Sequence, residues 1–121
     1  MEFKITDISN EDFGTVDTWC VFEDGKEVGF AMVQNWDTKE EDGIYIERID
    51  VYDGFRGNGY GTALLKAIDV YYDCEKYLCP DNEKSAVLYE RLGIKSESYP
   101  EIYDYSECGF GVYEISGCSN Y

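Results

Sequence analysis

A chain of 121 residues with 26 acidic and 10 basic side chains carries a formal charge of −16, which argues against DNA or RNA binding, since that normally requires a basic face. The 44% hydrophobic and 17% aromatic content, with 12 tyrosines, excludes a disordered chain, and the length makes one domain, 1–121, with a single core. No apolar run approaches the roughly 20 residues of a membrane span, and residues Met1 to Thr6 lack a basic-then-apolar leader, so a cytoplasmic protein is expected.

Phe3 to Ile8 alternates apolar and polar residues, as a half-buried first strand does. Ser9 to Gly14 reads as a turn or short connection. Thr15 to Glu23 and Lys26 to Trp36 read as strands joined by Asp24-Gly25, a strong hairpin signal. A charged turn, Asp37 to Gly43, leads to a fourth strand ending near Tyr52. Thr62 to Tyr72 has helical spacing, with Ala63, Leu64, Ala67, Ile68 and Tyr71 on one face and Lys66, Asp69 and Asp73 outside. Tyr77 to Cys79 is a short fifth strand, ended by Pro80-Asp81. A second helix follows, with Ser85, Leu88, Tyr89 and Leu92 as its stripe and Gly93 as its stop. Tyr99 to Tyr105 and Gly109 to Ser116 read as two last strands. A strand-loop-helix-strand unit makes its two strands parallel; the rest of the sheet is expected to be antiparallel.

The five cysteines, Cys20, Cys74, Cys79, Cys108 and Cys118, form no Cys-x-x-Cys pair, and the chain has no histidine. They read as free, mostly buried thiols, and no metal site is expected.

The most informative stretch is Val51 to Gly61, where an apolar strand passes through a glycine-dense loop into a helix. Such a junction cradles a phosphate: glycines permit close backbone approach, and the first helical turn offers its N–H groups to the anion. Arg56 at the loop's entry adds a forked cation. Three phosphate loops compete. Gly54 and Gly59 have the Walker separation, but Tyr60 and Gly61 stand where Lys and Ser/Thr belong. Gly57 and Gly59 begin a dinucleotide fingerprint, but Gly61 comes one position early. The pattern that remains is Arg/Gln-x-x-Gly-x-Gly/Ala, met by Arg56, Gly59 and Gly61.

That pattern resembles the acyl-CoA pyrophosphate loop of the GCN5-related N-acetyltransferases. Asn82 to Ile94 resembles the same family's later segment, Asn-x-x-Ala-x-x-x-Tyr-x-x-x-Gly-Phe, with Asn82, Tyr89 and Gly93 matching, Ser85 in place of Ala and Ile94 in place of Phe. Asp53 stands where many members carry Pro. The resemblance implies the acyl-CoA N-acyltransferase fold, an α+β architecture with a mixed, mostly antiparallel sheet, a central parallel strand pair and two main helices. It implies acetyl-CoA as cofactor, held by Ile49, Val51, Arg56, Gly57, Asn58, Gly59, Tyr60, Gly61, Thr62, Asn82, Ser85 and Tyr89. It also implies a reaction, transfer of the acetyl group to a primary amine. The family usually places two helices between its first two strands; here about ten residues join Ile8 to the second strand, too few for two helices of typical length, and the acceptor side is expected to be open.

An amine acceptor must lose a proton, since a lysine-type amine has a pKa of about 10.4. With no histidine, the base is a carboxylate, a tyrosine or a water they hold. Glu47 is the candidate, because period 2 places Tyr45, Glu47, Ile49 and Val51 on one face of the fourth strand; the plainer reading is a surface acid or an ion pair with Arg48 or a lysine. Asp50 lies on the opposite face unless a bulge swaps the parity. By resemblance, Tyr89 is the general acid for the leaving thiolate; alternatively it is a core aromatic. Acidity draws a cationic acceptor, such as a lysine side chain or N-terminus of a basic peptide, a polyamine or an aminoglycoside, or simply keeps the domain soluble. Because CoA is a polyanion, main-chain N–H groups and the helix dipole must do most of its binding, helped by Arg56 and by Lys66 or Lys84. Two other readings stand: an acidic nucleic-acid mimic that blocks a basic partner, and a CoA-binding relative without catalysis. Either a monomer or a homodimer is compatible with the residues.

Overall fold

A computed structural model of the chain describes residues 1–37, 42–79, 93–96 and 112–115. In chain order these form β1 (Glu2–Glu11), β2 (Gly14–Glu23), β3 (Lys26–Asp37), β4 (Asp42–Val51), α1 (Tyr60–Tyr71), β5 (Lys76–Leu78), β6 (Gly93–Ser96) and β7 (Val112–Ile115). One sheet holds all seven strands in the order β1-β2-β3-β4-β5-β7-β6. Only β4 and β5 run parallel; every other neighbouring pair is antiparallel. This is the α+β architecture, with its central parallel pair, that the motif order implied.

The β2–β3 hairpin turns at Asp24 (φ 52°) and Gly25 (φ 78°), two left-handed residues whose twist matches that of the flanking strands. β1 runs to Glu11, beyond the expected Ile8, so only Asp12 and Phe13 join it to β2. Gly93, expected to stop a helix, opens β6, a strand the periodicity did not suggest. β7 falls inside the expected last strand. The second helix, with Asn82, Ser85 and Tyr89, lies outside the described residues, as do the strand expected over 99–105 and Lys84.

Helix α1 covers one face of the sheet. Leu64, Leu65 and Ile68 are at most 1% exposed and pack with Trp19, Val21, Val33, Ile44 and Ile46. Each such side chain contributes about 1.5–3 kcal/mol relative to exposure. On the other face Trp36 stacks on Tyr45 and Tyr77, with ring centroids 6.5 and 6.3 Å apart.

The buried stripe of α1 differs from the expected one. Tyr71 points out and Tyr72 turns in, because the chain leaves helical geometry at Tyr72 (φ −95°, ψ 119°) and its hydroxyl finds buried partners on β2. Asp69, expected outside, is enclosed with Lys76, their charged atoms 3.3 Å apart. Cys79 is disulfide-bonded, contrary to the expectation of five free thiols, whereas Cys20 and Cys74 are not. A Cys-x-x-Cys search sees only local spacing, and a disulfide depends on which residues the fold brings together. No helix among the described residues is long and apolar enough to cross a membrane.

Candidate functional site

The site begins at a break in regular pairing. Met32 stands opposite Arg48 and Val33 opposite Ile46, so Glu47 is the extra residue of a β-bulge. β4 pairs with β5 only from Ile44 to Ile46, opposite Lys76 to Leu78. Beyond the bulge, the main chain from Glu47 to Val51 has no strand partner on the β5 side among the described residues. A bulge bends its strand, and the described pairing of β4 with β5 ends where the bulge begins.

The bulge also overturns the face expected for Glu47. Tyr45 belongs to the aromatic cluster with Trp36 and Tyr77, whereas Ile49 packs against the core under α1. Tyr45 and Ile49 therefore point to opposite faces. Glu47, at the point of reversal, is exposed and has no ion-pair partner among the described residues. Arg48 instead sits over the Phe30 ring at 5.4 Å and 4.0 Å from Asp50.

From Val51 the chain enters the glycine loop. Tyr52 N–H donates to the Val28 carbonyl at 2.9 Å, and Phe55 N–H to the Tyr52 carbonyl at 3.0 Å. Asn58 Nδ2 donates to the Phe55 carbonyl at 3.0 Å, so its side chain braces the loop. Gly54, Gly57 and Gly59 all have positive φ. Gly59, at φ 80°, is the N-cap of α1; no side chain caps this end, and no acid stands in the first turn. No atom of the described residues lies within 4 Å of where a Cβ on Gly57 or Gly59 would sit. At Gly61 a Cβ would meet Val51 Cγ2 at 3.6 Å, which brings the helix start against the strand end. Tyr60 packs on the core, and Gly61 and Thr62 are half-buried beside it.

A diphosphate fits this junction. The N–H groups of a first helical turn need an acceptor, the dipole's positive end favours an anion, and no described residue fills the space outside Gly57 and Gly59. Arg56 is less available than its motif position suggests. Its Nε donates to the Val51 carbonyl at 2.9 Å, and its terminal nitrogens lie 3.3 Å from Asp50 and 3.5 Å from Asp53. Lys66 lines a different feature, a groove between β1 and α1.

The structure thus places Ile49 and Val51 on the strand that runs into residues 56–62, with Val51 against Gly61 and Glu47 at the bulge before them. It also holds two polar clusters that the motifs do not mark. Tyr52 donates to the Glu27 carboxylate; that bond pushes the phenol up to about 12 and holds the carboxylate below its ordinary value. Under α1, Tyr72 donates to Asp17 and accepts from Trp19 Nε1 at 3.0 Å, while Thr15 donates to Asp17 at 2.7 Å. Burial raises Tyr72 well above the usual phenol range, followed by its bond to Asp17. An aspartate amid the apolar run of β2 was the one available sign.

Solved structures share this fold. Tetrahymena GCN5 superposes with TM-score 0.66 at 15% identity, covering 87% of this chain and 69% of its own. Bacillus subtilis N-acetyltransferase YlbP, in complex with coenzyme A, gives 0.60 at 18% identity, covering 84% and 68%. Arabidopsis thaliana Naa50, in complex with the bisubstrate analogue CoA-Ac-MVNAL, gives 0.56 at 22% identity, covering 81% and 70%. No curated protein sequence matches this chain. The profile of the acetyltransferase (GNAT) family matches residues 3–94, which span the bulged strand, the glycine loop and helix α1, and the chain belongs to that family.

Proposed function

We propose that this protein transfers an acetyl group from acetyl-CoA to a primary amine by direct attack. The observation that carries the reading is the uncapped start of α1, behind open glycines and beside the part of β4 that has no β5-side partner among the described residues. Main-chain N–H groups from Gly57 to Thr62 hold the diphosphate, and the edge from Ile49 to Val51 hydrogen-bonds the pantetheine arm. Asn82 and Ser85 extend that contact in the family's second motif. When bound, acetyl-CoA supplies an activated thioester carbonyl. A main-chain N–H of the β4 edge stabilises the charge that develops on its oxygen, which such preorganised donors do best. Tyr89 donates a proton to the leaving thiolate. Glu47 takes the amine's proton directly or through a water, and its exposed place at the bulge suits contact with an acceptor from solvent.

The acceptor is a cationic amine on a chain terminus, a lysine or a polyamine. Two features support this class: the charge of −16, and the two-residue connection Asp12-Phe13 where the family usually carries two helices. The peptide portion of the analogue bound to Arabidopsis Naa50 is consistent with a protein acceptor. The test is release of free thiol from acetyl-CoA against a panel of lysine peptides, N-terminal peptides and polyamines. Turnover with at least one acceptor, reduced in Tyr89→Phe with little change in CoA affinity, is expected. CoA binding without thiol release across the panel would establish a non-catalytic relative instead.

A further inference from the structure

Four large apolar side chains are exposed among the described residues: Met1 (58%), Ile8 (58%), Val70 (70%) and Tyr71 (61%). They share one flank. Met1, Val70 and Tyr71, with Phe3, Trp19 and Ala67, line a groove of about 600 Å³ between the start of β1 and α1. Ile8 belongs to the same side. It stands opposite Asp17, whose carboxylate accepts from Tyr72 at the end of α1, and residues opposite each other share a face. The strand that carries Phe3 and Ile8 is the sheet's edge among the described residues: β1 is ten residues long and pairs on one side only there. A free edge is a template for another strand.

Register selects the occupant. With β1 laid antiparallel on β1 of a second copy and Phe3 opposite Ile8, Lys4 falls opposite Asp7, and the two-fold axis repeats both pairs. The bulge at Thr6 permits this alignment. Ile5 stands opposite Trp19 and Asp7 opposite Thr18, so the parity of side chains changes at Thr6. Phe3 and Ile8 therefore share the α1 face, whereas Lys4 and Asp7 share the other. Sliding the pairing by two residues either way sets Glu2 against Asp7 or against Glu11, like charges that disfavour it. Asp7 is exposed with no ion-pair partner among the described residues. Lys4 is also exposed, 3.3 Å from Glu2 and 5.4 Å above the Phe22 ring.

We propose that two copies of this chain associate through β1, edge to edge about a two-fold axis, with Lys4 of each paired to Asp7 of the other and Ile8 of each covering the Phe3 end of the other's groove. The contact is isologous and closes on itself, so it ends at a dimer. It continues the sheet on the side away from the cofactor cleft, and so does not depend on the acetyl-transfer reading.

Sedimentation equilibrium of the full chain over a concentration series tests the proposal, with circular dichroism to verify folding of each variant. The wild type is expected to form a reversible dimer. Asp7→Lys is expected to weaken it at least about tenfold by setting lysines opposite each other twice, although the change relieves the general negative repulsion. The double exchange Lys4→Asp with Asp7→Lys is expected to restore it. Ile8→Ser weakens the dimer through lost apolar contact and serves as the test if Asp7→Lys does not fold. A wild type that is monomeric throughout overturns the proposal. So does a dimer indifferent to both Asp7→Lys and Ile8→Ser, or a folded double exchange that stays monomeric.

Discussion

Arg56 Nε donates to the main-chain carbonyl of Val51 at 2.9 Å and thereby ties the glycine loop to the strand end that it follows. The same guanidinium is flanked by Asp50 and Asp53, two acids that offset its charge before any anion arrives. Arg56 is first a clamp of the loop and only second a cation.

Arg56→Lys separates those roles, since an ammonium keeps the charge but loses the fixed fork. Arg56→Ala should weaken CoA binding in calorimetry, and Arg56→Lys should weaken it nearly as much. Full affinity in the lysine variant would make charge, not the clamp, the contribution of Arg56. Full affinity in both would refute the assignment of this loop to the diphosphate.

Gly59→Ala tests the helix start. At φ 80° a side chain raises the energy of the folded state by about 1–2 kcal/mol, and no atom of the described residues lies within 4 Å of the new Cβ. Stability should therefore fall modestly in thermal denaturation. Gly59→Val should abolish CoA binding by occupying the diphosphate's space. A folded Val variant that binds CoA normally would place the ligand elsewhere.

Asp69 and Lys76 form an enclosed ion pair, their side chains 7% and 10% exposed. Lys76 also donates to the Cys74 carbonyl at 2.8 Å. Asp69→Ala leaves the ammonium without its counter-charge and should destabilise by about 3–5 kcal/mol in urea unfolding. Adding Lys76→Met should recover most of that loss, because the stranded charge is then gone.

Tyr72 makes stability depend on alkaline pH. Its folded-state pKa is raised, first by burial and then by the bond to Asp17. The unfolded chain ionises it near pH ~10, so its contribution is fully present below that value and is lost as pH rises above it. Urea unfolding from pH ~8 to ~11 should show a falling stability whose slope is shallower in Tyr72→Phe. At neutral pH that variant should be less stable by about 1–3 kcal/mol, because Asp17 keeps only the Thr15 donor. Tyr52, pushed up to about 12 by Glu27, adds to the slope in the same direction, but weakly because it is solvent-screened.

Local chemistry made most of the frame legible. Asp24-Gly25 announces its hairpin because two left-handed residues are needed there and few others accept them. The apolar runs of β2, β3 and β4 announce strands, and the order of strand, glycine loop and helix announces the parallel pair. The edges of elements were less legible. β1 outran its alternation to Glu11, and α1 began at Tyr60 with the glycine cap, because ladder partners and core contacts extend an element past its own periodicity.

What the residues determined unaided is a small α+β fold with a strand, glycine loop and helix in succession, since glycine placement, apolar period and charge are properties of neighbouring residues. What only the tertiary structure decided is how those residues face one another. One extra residue against β3 reverses every side chain after Glu47; the turn at Tyr72 sends its phenol to Asp17, fifty-five residues away in the chain. Such outcomes depend on contacts between distant segments, and a period counted along one segment carries no information about its partner's register.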